Sequence, residues 1–387
     1  MTVPSVNWNY PTAIKAGPGR IKELPDWCRE LGMARPLLVT DPGLAALPMI
    51  ADAVRGCRQA GLECGLFHEV KGNPTGRNVD DGVARYREGR HDGVIAFGGG
   101  SALDAAKAIA LMAGQKRPLW DFEDVGDNYL RVNVAGMAPV VAVPTTAGTG
   151  SEVGRASVIT DEAAQVKRII FHARMLPAIV ILDPELTVGL PPRITAATGM
   201  DALSHNLEAY CSPFFHPMAA GIALEGMRMI KEYLPQAVAD GADLQARQQM
   251  LVASSMGATA FQRGLGAMHA LAHPLGALYD AHHGMLNAIL MPYVLKANQH
   301  AVAPRLQALA CYLALPDDSP GAVLDWVLAL RETVGIPHTL ADIGIDDAQA
   351  ERVGRMASED PSGGTNPVAY TPDQYAELFR AAVRGIL

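Results

Sequence analysis

Five short β-rich runs, PLLVT at 36–40, GLFHEV at 65–70, GVIAF at 93–97, PVVAVP at 139–144 and AIVILD at 178–183, alternate with helical stretches and then stop. Such alternation specifies a mostly parallel sheet with helices laid on its faces, because parallel neighbours need a crossover between them. The segments between the runs agree. Residues 47–61 and 101–114 space their apolar side chains at three and four, and Gly61 and Gly114 stand where helices stop. Beyond Leu190 the texture changes to Ala, Met and Leu at helical spacing, punctuated by Pro191, Pro192, Pro213, Pro235 and Pro316. The spacing therefore predicts an α/β domain over residues 1–190 and an all-helical domain over residues 191–387. Two domains also suit a chain of 387 residues, since a single core stops growing at about 250–300 residues.

Charge and cysteine usage exclude several classes. A net charge of −8 with no clustered Lys and Arg argues against nucleic acid as a partner. The five cysteines, at 28, 57, 64, 211 and 311, never form a CxxC pair. Neither a disulfide framework nor a thiolate zinc site is indicated, and a reducing cytoplasm is expected. The opening run MTVPSVNWNYPTAIKAG lacks a basic start and a continuous apolar stretch, and no run of about 18 apolar residues occurs anywhere. Neither a secretory leader nor a membrane span is expected.

Gly98, Gly99, Gly100 and Ser101 follow the run GVIAF and open the stretch that carries Asp104 and Lys107. Backbone N–H groups at such a helix start, with the helix dipole behind them and no Cβ in the way, hold a pyrophosphate closely. The GxGxxG fingerprint is absent, so a tight structural turn is the competing explanation. A second loop follows another β-rich run and supplies Thr145, Thr146, Thr149 and Ser151 among glycines. Two such loops suit a dinucleotide better than one turn does. Asp41, just past PLLVT, is placed to accept from an adenosine ribose and to repel a 2′-phosphate, which favours NAD over NADP. An Asp-Pro-Gly turn explains the same residue locally.

Four of the 11 histidines lie between residues 269 and 283, and His205 stands four residues after Asp201. Residues i and i+4 share a helix face, so Asp201 and His205 can converge on one cation. His269 and His273 repeat that spacing, and Pro274 is expected to end or kink their helix. Residues 279–284 then read as a turn that returns His282 and His283. Spacing alone does not choose between these histidines as ligands. A carboxylate with three imidazoles and an open position suits Fe²⁺ or Zn²⁺ in a catalytic role.

The strings GNPT (72–75), GGGSALDAAK (98–107), PTTAGTGSE (144–152), GMDALSH (199–205) and HALAHPLGALYDAHHGMLNAILMP (269–292), in this order, resemble the iron-containing (group III) alcohol dehydrogenase family. The resemblance covers essentially the whole chain. It implies a dehydroquinate synthase-like architecture, an α/β NAD-binding domain before an all-α metal-binding domain. It implies Asp201, His205, His269 and His283 as metal ligands, with His273 beside the nicotinamide and the substrate. Around the coenzyme it places Asp41, Asn73, Gly98, Gly99, Gly100, Ser101, Asp104, Thr145, Thr146, Thr149, Ser151, Lys167 and Leu186. The activity implied is NAD(H)-linked interconversion of a small alcohol and its aldehyde at a metal ion, Fe²⁺ with Zn²⁺ as the alternative, in a cytoplasmic homodimer or larger homo-oligomer. A dehydroquinate synthase-like lyase and a metal-independent maleylacetate reductase share the scaffold. The first needs a basic pocket that 199–292 lacks, and the second does not need all four ligands. One departure stands out: Ser362, in DPSGGTNP at 360–367, occupies a position where many relatives carry cysteine near the substrate.

Overall fold

The structure, a computed structural model, describes Val6–Trp8 and residues 12–387. Residues 1–5 and 9–11 of the run read above for a leader lie outside the described residues. The strands are β1 (Val6–Trp8), β2 (Ala13–Ala16), β3 (Pro36–Val39), β4 (Gly65–Phe67), β5 (Gly93–Gly98), β6 (Val140–Pro144), β7 (Ala156–Asp161), β8 (Val166–Phe171) and β9 (Ile179–Leu182). The helices of the first half are α1 (Leu24–Glu30), α2 (Pro42–Ala45), α3 (Pro48–Gln59), α4 (Gly76–Glu88) and α5 (Gly100–Met112). Those of the second are α6 (Pro192–Cys211), α7 (Pro217–Ala239), α8 (Leu244–Ala260), α9 (Ala267–Tyr279), α10 (His283–Asn298), α11 (Ala303–Tyr312), α12 (Pro320–Thr333), α13 (Ala350–Glu359) and α14 (Pro372–Arg384).

The chain divides into two compact units. One, Met1–Thr146 with Gly150–Gly189, holds a seven-stranded sheet in the order β1-β2-β9-β6-β5-β3-β4 and a separate β7–β8 hairpin. From β2 to β4 every pairing is parallel, and only β1 runs antiparallel to its neighbour. Strands β3, β5, β6 and β9 are buried along their whole length, as a sheet covered on both faces requires. That is why their sequences are unbroken apolar runs rather than alternating ones. The run 65–70 gives a strand only as far as Phe67.

Strands β1 and β2 and the β7–β8 hairpin had no counterpart in the sequence reading. Strand β2 is short and alternates half-buried with buried residues. In the hairpin, β7 alternates strictly while β8 carries Lys167 and Arg168. Mixed polar strands with a tight connection through Gln165 at φ 56 resemble a loop when only apolar runs are sought.

The other unit, Ala147–Thr149 with Leu190–Leu387, contains α6 to α14 and no strand among its described residues. Its core is dominated by Ala, Leu, Met and Val side chains. Within α6 every residue from 195 to 211 is buried, so this helix is enclosed on all sides. Helix α9 runs on through Pro274 to Tyr279, so of the two expected outcomes, an end or a kink, the helix does not end there. No helix among the described residues is long and apolar enough to cross a membrane.

Candidate functional site

In the sheet unit, the loops at the carboxyl ends of β3, β5 and β6 come together, the place where open parallel sheets take ligands. Gly98 ends β5 at φ 148, where a Cβ would lie 2.7 Å from that of Ala102. Only glycine turns the chain there. Gly99 caps α5 without any side-chain hydrogen bond, so the N–H groups of Gly100, Ser101 and Ala102 start the helix uncapped by a side chain. The Thr145 N–H donates to the Gly98 carbonyl at 3.0 Å, and the Thr146 hydroxyl lies 3.4 Å from where a Cβ on Gly99 would be. Asp41 accepts from Leu44 N through Oδ1 at 2.9 Å and so caps α2. Its Oδ2 lies 3.7 Å from the Cβ position of Gly98. The turn explanation of Asp41 holds through Oδ1, and Oδ2 faces the glycine loop.

The remaining coenzyme candidates of this unit are placed as follows. Lys167 Nζ donates to Asn73 Oδ1 at 2.9 Å, and Asn73 adopts a left-handed φ of 53. Asp104 spends both oxygens on the protein, accepting from the Ser151 hydroxyl on one and from Val158 N at 3.0 Å on the other. Its neighbour Lys107 is 1% exposed, pairs with Asp104 at 3.3 Å and donates to the Ala156 carbonyl. Burial pushes the Lys107 ammonium down while Asp104 supports it. Asp104, Lys107 and Ser151 therefore fasten the segment after β6 onto α5. Leu186 packs in the apolar core beneath the sheet. Thr149 falls with the helical unit.

The helical unit brings four side chains from three helices to one point. Asp201 and His205 lie one turn apart on α6, His269 lies on α9, and His283 opens α10. One donor atom from each lies within 4.8 Å of all the others. The close approach of α10 to α6 depends on Gly284, where a Cβ would meet the Ala197 carbonyl oxygen at 2.7 Å and the Asp201 Cβ at 3.1 Å. His282 is excluded from the cluster because its ring caps α10, accepting from Met285 N at 3.3 Å.

Each buried ligand candidate is oriented by a partner outside the cluster. His205 Nδ1 faces the Gly148 carbonyl at 3.2 Å, leaving Nε2 for the cluster. His269 Nδ1 lies 2.6 Å from Glu208 Oε2. Glu208 also accepts from Gly266 N at 2.9 Å and Met268 N at 2.7 Å. Asn287, fully buried, places Nδ2 2.8 Å from Asp201 Oδ1, 3.2 Å from His269 Nε2 and 3.1 Å from His283 Nε2. Its own Oδ1 is buried without a hydrogen-bond partner. Burial pushes the His205 imidazole down to about 4, against the pull of Asp201. Burial also opposes charge on His269, but Glu208 and Asp201 outweigh it and the net shift is upward.

This donor set fits a divalent cation. One carboxylate oxygen and three imidazole nitrogens converge where water is scarce, the imidazoles have their outer nitrogens engaged or turned away, and an orphaned amide oxygen lies alongside. His273 is not part of the set: its ring stacks on His283 at 5.5 Å and its Nδ1 lies 2.8 Å from Asp360 Oδ2. Glu208, Asn287 and Asp360 were absent from the sequence reading. For the first two a signal existed, since Glu208 stands three residues after His205 and Asn287 four after His283, both spacings that share a helix face.

Comparison with known proteins identifies the family. Residues 11–184 match the family model described as iron-containing alcohol dehydrogenase, and residues 195–383 match that of the family's C-terminal part. The chain is 38% identical to a 4-hydroxybutyrate dehydrogenase of Cupriavidus necator, over 97% of this chain and 99% of that protein. It is 37% identical to a 1,3-propanediol dehydrogenase of Klebsiella pneumoniae, over 98% and 97% respectively. A crystal structure of 1,3-propanediol oxidoreductase superposes with a TM-score of 0.91 at 35% identity, covering 99% of this chain and 100% of that one.

Proposed function

The chain belongs to the iron-containing alcohol dehydrogenase family, and from that premise we propose that it interconverts a small alcohol and its aldehyde with NAD(H), using a divalent ion held by Asp201, His205, His269 and His283. The observation that carries the proposal is the convergence of those four donors within 4.8 Å. Fe²⁺ is the ion favoured by the family, and Zn²⁺ satisfies the same donors. When bound, the ion makes an alcohol oxygen more acidic, and nicotinamide accepts hydride.

The chain's own residues do the rest. The helical unit keeps Asp201 and His269 at 1% exposure, which excludes bulk water and strengthens every charge interaction there. His273, outside the donor set, is the candidate carrier of the alcohol's proton. In the sheet unit the uncapped start of α5 receives the pyrophosphate, and Oδ2 of Asp41 receives the adenosine ribose. Asn73, Lys167, Thr145 and Thr146 line the coenzyme, while Asp104 and Ser151 act by holding the loop in place. Relatives acting on 4-hydroxybutyrate and 1,3-propanediol point to short primary alcohols as the substrates to test. The free state of all five cysteines supports a cytoplasmic setting, and the family resemblance implies a homodimer or larger homo-oligomer.

The test is to strip the protein of metal, restore Fe²⁺, Zn²⁺ or neither under anaerobic conditions, and follow NADH with a panel of alcohols, diols and hydroxy acids. Ion-dependent accumulation of NADH is expected. Turnover without any ion would favour a metal-independent reductase. Coenzyme binding without net NADH would favour a lyase that regenerates its coenzyme.

A further inference from the structure

His273 is held by a residue from a distant part of the chain. Its Nδ1 lies 2.8 Å from Oδ2 of Asp360, the residue between α13 and the short 3₁₀ turn Pro361–Thr365. The two side chains are 9% and 11% exposed. The other carboxylate oxygen of Asp360 accepts from Ser362 N at 2.9 Å, so the carboxylate cannot rotate without losing its turn. The ring of His273 stacks on His283 at 5.5 Å with an interplanar angle of 13°, and meets the edge of His269 at 5.9 Å. One ring nitrogen is thus tied to a carboxylate, the plane is fixed by two neighbouring imidazoles, and Nε2 is left on the opposite edge.

We propose that Asp360 is the positioning residue of His273: its contact with Nδ1 fixes the ring's orientation and the Nδ1–H tautomer and leaves the lone pair on Nε2. The inference rests on His273 serving as the proton carrier of the dehydrogenase reaction. In the oxidation direction the C–H hydrogen would leave with its electron pair as hydride, which bound nicotinamide would accept. The O–H proton goes to Nε2 of His273 and then to water, and the Nδ1 proton stays between His273 and Asp360. A histidine that carries protons needs such an orienting group, because the wrong tautomer presents an N–H where a lone pair is required.

Nitrogen-15 NMR of the histidine side chains tests this directly, with the His273 signals assigned from their loss in His273→Gln. The wild-type protein is expected to show the Nδ1–H form. In Asp360→Asn the amide can donate to Nδ1, so a large share of His273 should shift to Nε2–H. With ion and coenzyme supplied, Asp360→Asn should lower kcat about 10²- to 10⁴-fold while metal content and KM for NAD stay near wild type. In a His273→Gln background the same substitution should cost nothing further.

An unchanged tautomer with unchanged kcat overturns the proposal. So does an equal loss in the His273→Gln background, because the effect would then run through the 361–365 turn. Should the wild-type protein form no NADH with any alcohol, the dehydrogenase reading fails, and the tautomer measurement still decides whether Asp360 sets His273.

Discussion

Oε2 of Glu208 lies 2.6 Å from Nδ1 of His269, and both residues are buried, at 5% and 1% exposure. Glu208 also receives the N–H groups of Gly266 and Met268, which flank the start of α9. A buried carboxylate survives only where donors satisfy it, and here one of those donors is the outer nitrogen of a ligand. The contact fixes the Nδ1–H tautomer of His269 and leaves Nε2 as a lone-pair donor to the cluster. Glu208→Gln should therefore weaken divalent-ion binding about 10- to 100-fold, read by competition with a chelator. Affinity equal to wild type would show that Glu208 only anchors the helix start.

A second consequence concerns pH. Burial lowers the His205 imidazole from 6.5 to about 4. The unfolded chain takes up that proton near 6.5 and the folded one only near 4. The stability due to neutral His205 is thus complete above 6.5 and drains away as pH falls from 6.5 towards 4. At about 1.36 kcal/mol per pKa unit the loss is on the order of 3 kcal/mol. His269, shifted upward, works in the opposite sense, so the comparison must isolate one residue. Urea unfolding of metal-stripped wild type and His205→Leu between pH 7 and 4.5 does so. The variant should show a shallower decline, and parallel curves would refute the assignment.

Sequence patterns reach some residues of this site and not others. Asp201 and His205 are one helical turn apart, and that spacing alone predicts a shared face. The four fully buried strands β3, β5, β6 and β9 were legible as apolar runs because both their faces are covered. Glu208 was readable in principle, being a carboxylate one turn after His205. Asp360 was not: it stands 87 residues from His273, and no local pattern joins them. The β7–β8 hairpin was hidden by its polar face. Asp104 was expected beside the coenzyme only through the family resemblance; its oxygens accept from Ser151 and Val158, and Lys107 pairs with it and donates to the Ala156 carbonyl.

Gly284 makes a third prediction about the metal cluster. A Cβ there would sit 2.7 Å from the Ala197 carbonyl oxygen, which is helix backbone and cannot swing aside. Gly284→Ala should push α10 off α6 and draw His283 away from Asp201. Overpacking of this kind costs about 1–3 kcal/mol, so the urea midpoint should fall and the purified protein should retain less metal. Full metal content at an unchanged midpoint would mean that the helices have slack the geometry does not show.

Asp41 offers the cleanest test of coenzyme choice because its two oxygens have separate tasks. Oδ1 caps α2 through Leu44 N, and Oδ2 faces the Gly98 turn. Replacing an N-cap aspartate by glycine costs only a few tenths of a kcal/mol, so Asp41→Gly removes the charge and leaves the helix start nearly intact. If the carboxylate accepts from the adenosine ribose and repels a 2′-phosphate, the ratio of kcat/KM for NAD to that for NADP should fall by about tenfold or more, mostly through improved use of NADP. Serine at the same position should behave alike, because it restores the cap but not the charge. An unchanged ratio in both variants, with the melting temperature also unchanged, would reduce Asp41 to its capping role and leave coenzyme choice to other residues of the sheet unit.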